Sequence, residues 1–262
     1  MSVKSVLTAI ADTIRGYTGK SAKMTLAQMP QEITEAATAE FDAGKQAEYE
    51  EQWNVIQGTN GSRTNYAYGF AGKGWTSANF KPLYNITPIN ISQMFTGTGI
   101  VDLKAALENA GVTMDLSSAT TGSYFMQDYP AIKRLPVINI SNISDLSYFI
   151  YNCSALEYIE EFIFNSNGTQ TVGSQTLNRC GNLEYVKFSG VIGKSGLNTR
   201  YNTSFSRETW ESLIRVFDPS LTLTMTGSKA SVEAAFGANY ADAGSDWNKL
   251  LAERPNLTVS LL

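Results

Sequence analysis

The chain has 262 residues, with 20 Lys and Arg against 24 Asp and Glu, a net charge of −4, and no histidine. The acid excess argues against a general nucleic-acid binder, because neutralising phosphates needs surplus Lys and Arg. Without histidine the commonest near-neutral general base and zinc ligand are missing, so Ser-His-Asp or Cys-His machinery cannot be assembled within the chain.

At the N-terminus, Leu7, Ile10, Ala11 and Ile14 fall at i, i+3, i+4 and i+7. They mark one apolar face of a short helix, which Gly16 and Gly19 stop. This spacing is not the apolar run of a signal peptide, and no stretch is long enough to cross a bilayer. The expectation is synthesis in a cytoplasm without a standard leader and without membrane insertion. Thr25 and Gln28 resemble a capping box ahead of Met29, Pro30 and Ile33. GYTGKSAK, from Gly16 to Lys23, is not a phosphate loop: the glycine four residues further upstream is missing, and a helix rather than a strand precedes it. Ile33 to Ile56 reads as one helix with acids on a solvated face and no sustained heptad.

The texture then changes to Gly, Asn and aromatics. Asn60-Gly61 is a turn signal. Tyr66, Tyr68 and Phe70 alternate as one face of a strand would. With Trp53, Trp75, Phe80 and Tyr84 they form either a stacking platform for sugars or a small aromatic core, and the core reading is preferred because large aromatics mostly supply buried area.

From about Ile91 the chain repeats. Cys153 and Cys180, Leu156 and Leu183, Tyr158 and Tyr185, and Ile159 and Val186 share one offset. An earlier copy matches Phe125 to Phe149, Tyr129 to Cys153, Ile132 to Leu156 and Leu135 to Ile159. A degenerate first copy has Ile100 and Leu103 in the leucine places, followed by a helical insert, KAALENAG. This period is a solenoid signature: one unit cannot bury its own apolar face, whereas stacked units bury a continuous column. The two cysteines then sit in one slot on neighbouring rungs, with Tyr129 in that slot one rung earlier. They read as packing residues rather than metal ligands or nucleophiles, and two cysteines make no disulfide framework. Beyond the rungs, Ser206 to Phe217 reads as a helix, Leu221 to Thr226 as a strand, Ser228 to Phe236 and Ser245 to Ala252 as helices, and Leu257 to Leu261 as a last strand.

Three passages carry a family resemblance. SVLTAIADTIRGYTGKSAKMTLAQMPQEI resembles the N-terminal segment of many tail and minor structural proteins of phages and prophages of Gram-positive and gut bacteria. Residues 146–188, with Asn-Cys-Ser-x-Leu, resemble BspA-type leucine-rich repeats, and the C-terminal helix with TLTLTMTG resembles the segment that closes such repeats in the same proteins. The repeats alone also occur in bacterial surface proteins.

The resulting expectation is an α+β protein: an N-terminal helical attachment segment, then a short leucine-rich-repeat β-solenoid with a C-terminal α/β cap. The divisions are 1–33 (virion attachment), 34–57 (connecting helix), 58–90 (Gly/aromatic junction), 91–200 (BspA-like repeats) and 201–262 (cap). The resemblance implies a non-enzymatic virion component (tail fibre, baseplate or other appendage) assembled in the bacterial host cytoplasm. Its partners would be other virion proteins through the N-terminus, two further copies in a homotrimer, and a host cell-surface glycan or protein. Leu7, Ile10, Ile14, Met29 and Ile33 are the assembly candidates, and Trp75, Tyr148, Tyr151, Asn178 and Arg179 the surface-recognition candidates. The resemblance implies no catalytic, metal-binding or cofactor-binding residue and no cofactor. Two other readings are a bacterial surface adhesin and a tail-associated glycan hydrolase. The hydrolase would need two of Glu157, Glu160, Glu161 and Glu184 to face each other across a cleft.

Overall fold

The computed structural model describes residues 47–48, 50–54, 56–58, 61–71, 74–173 and 175–262. The attachment segment, with Leu7, Ile10, Ile14, Met29 and Ile33, lies outside the described residues, as does most of the connecting helix. The chain divides into two units, Met1–Val55 and Ile56–Leu262. The described residues of the first, within 47–54, are helical.

The second unit contains α1 (Leu103–Ala110), β1 (Met126–Gln127), β2 (Arg134–Leu135), β3 (Ile138–Asn139), β4 (Ile150–Tyr151), β5 (Tyr158–Ile163), β6 (Leu177–Asn178) and β7 (Tyr185–Ser189). There follow α2 (Arg207–Arg215), β8 (Leu223–Gly227), α3 (Lys229–Phe236), α4 (Asp246–Ala252) and β9 (Leu257–Leu261). Three separate sheets result. The first has the order β1-β4-β6; in the second, β5 carries β2 and β3 and also pairs with β7; the third is β8-β9. All these pairings are parallel.

The register is the one the repeat offsets give. Leu135 pairs with Ile159, Tyr158 with Tyr185, and Ile159 with Val186. Equivalent residues therefore lie one strand spacing, about 4.8 Å, apart. Their apolar side chains form columns: Ile132, Leu135, Leu156, Ile159, Leu183 and Val186 are fully buried. Each such side chain stabilises the fold by about 1.5–3 kcal/mol relative to exposure. Phe125 stacks on Phe149 with ring centroids 5.0 Å apart.

The expected β-solenoid is corrected by this topology. The parallel pairing is divided among three sheets, five of the strands in the first two have only two residues, and helices are few. The fold is α+β with short parallel sheets, neither closed nor a solenoid. Unequal units explain this: the pairing offset is 24 residues at Met126–Ile150 and 27 at Ile150–Leu177. The register of β5 with β7 also shifts between Ile159 and Phe162.

Side chains complete the open edges. Asn202 is fully buried; its Oδ1 accepts from the Cys180 N–H at 2.9 Å and its Nδ2 donates to the Leu177 carbonyl at 2.9 Å. It thus supplies the donor and acceptor of an absent next strand. On β7, Thr209 Oγ1 accepts from Val186 N–H at 2.9 Å and donates to the Glu184 carbonyl at 2.8 Å. Ser212 Oγ accepts from Phe188 N–H at 3.1 Å. Both hydroxyls project from α2, whose N-cap Ser206 accepts from Thr209 N–H.

The Gly/aromatic region is a packed cluster. Tyr66, Phe70, Phe80 and Phe95 are fully buried, and Phe70 meets Phe80 edge-on at 5.0 Å. The strand expected through Tyr66, Tyr68 and Phe70 is corrected: the Gly69 N–H bonds the Tyr66 carbonyl, closing a turn. Tyr68 sits in that turn at φ 53° and is 57% exposed, so the three rings do not share a face.

Candidate surface-recognition site

The site is built from turns. Backbone bonds from Gly69 to Tyr66, Met94 to Ile91, Phe125 to Gly122 and Phe149 to Leu146 close successive four-residue turns. The third residue of each has positive φ: Tyr68 at 53°, Gln93 at 52°, Tyr124 at 58° and Tyr148 at 55°. A positive φ there is what a type II turn demands, and glycine or asparagine is the usual occupant. A second set follows the short strands. Asp128, Asn152 and Arg179 have φ of 52°, 57° and 58°. Asp and Asn tolerate this region; tyrosine and arginine do so at a cost of about 1–2 kcal/mol each. Three residues poorly suited to left-handed turns, Tyr124, Tyr148 and Arg179, thus stand on one side of the first sheet.

Their side chains join into a strip. Tyr124 and Tyr148 stack at 5.1 Å. Tyr148 meets Tyr151 edge-on at 5.3 Å. The Arg179 guanidinium lies 5.8 Å from the Tyr151 ring centre and 5.2 Å from that of Tyr201. Arg200 lies 4.4 Å above Tyr201. Each ring pair contributes about 0.5–1.5 kcal/mol, and each exposed cation–ring contact about 0.5–1 kcal/mol. These contacts offset part of the turn strain and hold the strip in one arrangement. Beside it, Asn152 Nδ2 donates to Asp128 Oδ1 at 2.6 Å.

Of the residues expected from the sequence, Tyr148, Tyr151 and Arg179 come together here. Two others do not belong at the surface, and this is a correction. Trp75 is 5% exposed and packs edge-on against Phe80, because the aromatic cluster encloses it. Asn178 is 1% exposed; its Oδ1 accepts from the Arg179 N–H at 2.8 Å, so it supports the turn that presents Arg179. Tyr124, Tyr201 and Arg200 were missed. Tyr124 was legible as the copy of Tyr148 at the 24-residue offset. Tyr201 and Arg200 lie beyond the last copy matched by offset, where periodicity gives no signal.

The opposite ladder, around β5, carries ion pairs. Lys133 meets Glu157 at 2.8 Å, Lys104 meets Glu160 at 3.1 Å, and Lys187 meets Glu161 at 3.1 Å. Tyr158 and Tyr185 stack at 5.2 Å, with Arg134 4.3 Å above Tyr158. Three of the four candidate carboxylates are thus bonded to lysines on an exposed face. Cys153 and Cys180 are buried in their common slot. The neighbouring Cys153 thiol, and burial after it, push the Cys180 thiol well above the usual range. Raised and buried, it is not set up as a nucleophile.

Comparison of the chain with family models, with curated proteins and with solved structures found no match.

Proposed function

We propose that this protein is a non-enzymatic component of a phage virion, a tail-fibre, baseplate or other appendage protein, that recognises the host surface through the Tyr124–Tyr148–Tyr151–Arg179–Tyr201 strip. The N-terminal passage SVLTAIADTIRGYTGKSAKMTLAQMPQEI, through its resemblance to phage tail proteins, supports the virion assignment and supplies the attachment segment. The observation that carries recognition is conformational. Tyr124, Tyr148 and Arg179 occupy left-handed turns that glycine would occupy without strain. Backbone strain of this kind clusters where a side chain is needed for function. Homotrimeric assembly belongs to the same reading, since closed rotational symmetry makes a stiff projecting element.

The test is the protein content of gradient-purified phage particles from a strain carrying the gene. Peptides of this chain should copurify with tail proteins, and gold-labelled antibody should mark the appendage. Absence from the particles, with the protein on the bacterial surface instead, overturns the virion reading in favour of an adhesin. Light scattering of the full chain should give three times the 28.6 kDa chain mass.

A further inference from the structure

We infer that the Tyr151–Arg179–Tyr201–Arg200 end of the strip binds an acidic glycan, the acidic group being a carboxylate or a phosphodiester. This rests on the surface-recognition reading above and names the ligand class.

The charge pattern is the first support. Many cations elsewhere in the unit are engaged: Lys133 pairs with Glu157, Arg134 with Asp102, Lys187 with Glu161, Arg207 with Asp246, and Arg215 with Glu253, while Arg63 and Arg254 bond backbone carbonyls. Among the described residues, neither Arg179 nor Arg200 has a carboxylate within ion-pair distance. Both instead lie over the ring of Tyr201. A guanidinium stacked on a ring can keep in-plane N–H donors for a carboxylate or phosphate. The exposed Arg179 does so, whereas Arg200 spends an Nη2 donor on the Tyr201 hydroxyl at 2.5 Å and has a buried Nε, leaving Nη1 for a ligand. Two such groups share one ring, so one acidic substituent, or two neighbouring ones on a polymer, can reach both.

Backbone conformation is the second. Arg179 is exposed at φ 58°, and Asn178 and Tyr201 hold it from either side. Arginine has no local hydrogen-bonding reason to prefer this conformation, unlike Asn152 and Asp128 at the equivalent positions one and two rungs earlier.

The polar and aromatic neighbours select a glycan among acidic ligands. Tyr148, Tyr151 and Asn152 are half-buried beside Arg179. The Tyr124 and Tyr148 phenols recur in successive turns at the rung spacing of about 4.8 Å, close to the length of one sugar unit, with the Asn152 amide beside them. A polysaccharide lying along the rungs meets one set of hydroxyl-bonding groups per residue. Its acidic substituents fall at the arginine end.

The experiment is calorimetric titration of the full chain with three polymers: polygalacturonate, poly(glycerol phosphate) and neutral dextran. Wild type should bind one or both acidic polymers at least about tenfold more tightly than dextran, as expected for a charge-assisted hydrogen-bonded pair. Polygalacturonate alone, or poly(glycerol phosphate) alone, assigns the acidic group to carboxylate or to phosphodiester. Arg179→Gly and Arg200→Gln should each weaken binding by about tenfold or more. Arg179→Gly suits the left-handed turn and should melt like wild type; Arg200→Gln leaves that turn untouched and tests the site independently. Failure of wild type to bind either acidic polymer, equal binding of dextran, or wild-type affinity in both variants would overturn the inference. Adsorption of the same proteins to host cells separates the two levels. Wild-type adsorption by both variants rejects the acidic-glycan site and leaves surface recognition standing. No adsorption by the wild-type chain rejects surface recognition itself.

Discussion

Asn202→Ala tests whether one amide closes the open edge of the β1-β4-β6 sheet. The fully buried side chain accepts from Cys180 N–H and donates to the Leu177 carbonyl, each at 2.9 Å. Truncation leaves one buried donor and one buried acceptor unpaired. Each orphaned group costs about 1–3 kcal/mol, so the expected loss is about 3 kcal/mol. For a unit of this size 1 kcal/mol moves the melting temperature by about 2–4 °C, which predicts a fall of about 6–12 °C. Thr203→Ala is the control, because its exposed hydroxyl bonds the Gly181 carbonyl at 3.2 Å at the rim of the same edge. It should cost less than about 0.5 kcal/mol. Circular dichroism melts give the magnitude, and amide exchange at Cys180 gives the location: protection there should drop in Asn202→Ala and hold in the control. A loss below about 1 kcal/mol with Cys180 still protected would mean that the sheet edge finds its partners elsewhere, and the edge-closure reasoning would be wrong.

Thr209→Val keeps the shape of the α2 side chain but removes its bonds to Val186 N–H and the Glu184 carbonyl; urea titration should show a loss of about 2 kcal/mol. Gly190→Ala places a Cβ 2.3 Å from the Phe164 carbonyl oxygen at φ +87°, and should cost at least about 2 kcal/mol in the same assay. Tyr129 gives a pH dependence. Its hydroxyl donates to the Ile100 carbonyl at 2.6 Å, and burial raises it from 10.0 to about 12. The unfolded chain therefore loses this proton first as pH rises. The stabilisation is complete below pH 10 and is lost by about pH 12, an effect of about 3 kcal/mol. Urea midpoints at pH 9 and 11.5 should show the drop, and Tyr129→Phe should remove most of it from that difference.

The register was legible because apolar spacing is a one-dimensional property that parallel pairing preserves. Leu135, Ile159 and Val186 sit side by side as their offsets require. The C-terminal elements also follow from local signals. Ser206, Ser228 and Ser245 cap α2, α3 and α4, and alternation in LTLTMT marks β8. The continuous stack was not legible: periodicity does not report that two-residue strands and unequal units divide the pairing among three sheets.

For the site, sequence supplied Tyr148, Tyr151 and Arg179 but gave Trp75 and Asn178 the same standing. Burial separated them, and burial depends on neighbours distant along the chain. The repeat by itself determined which residues are equivalent and which form the apolar columns. Only the tertiary structure decided that turns with positive φ aim Tyr124, Tyr148 and Arg179 outward on one side, and that Tyr201 and Arg200 continue the strip from beyond the last matched copy. The reason is geometric: residue spacing fixes which positions recur, whereas side-chain direction depends on φ at a single turn and on contacts across rungs that no local pattern encodes.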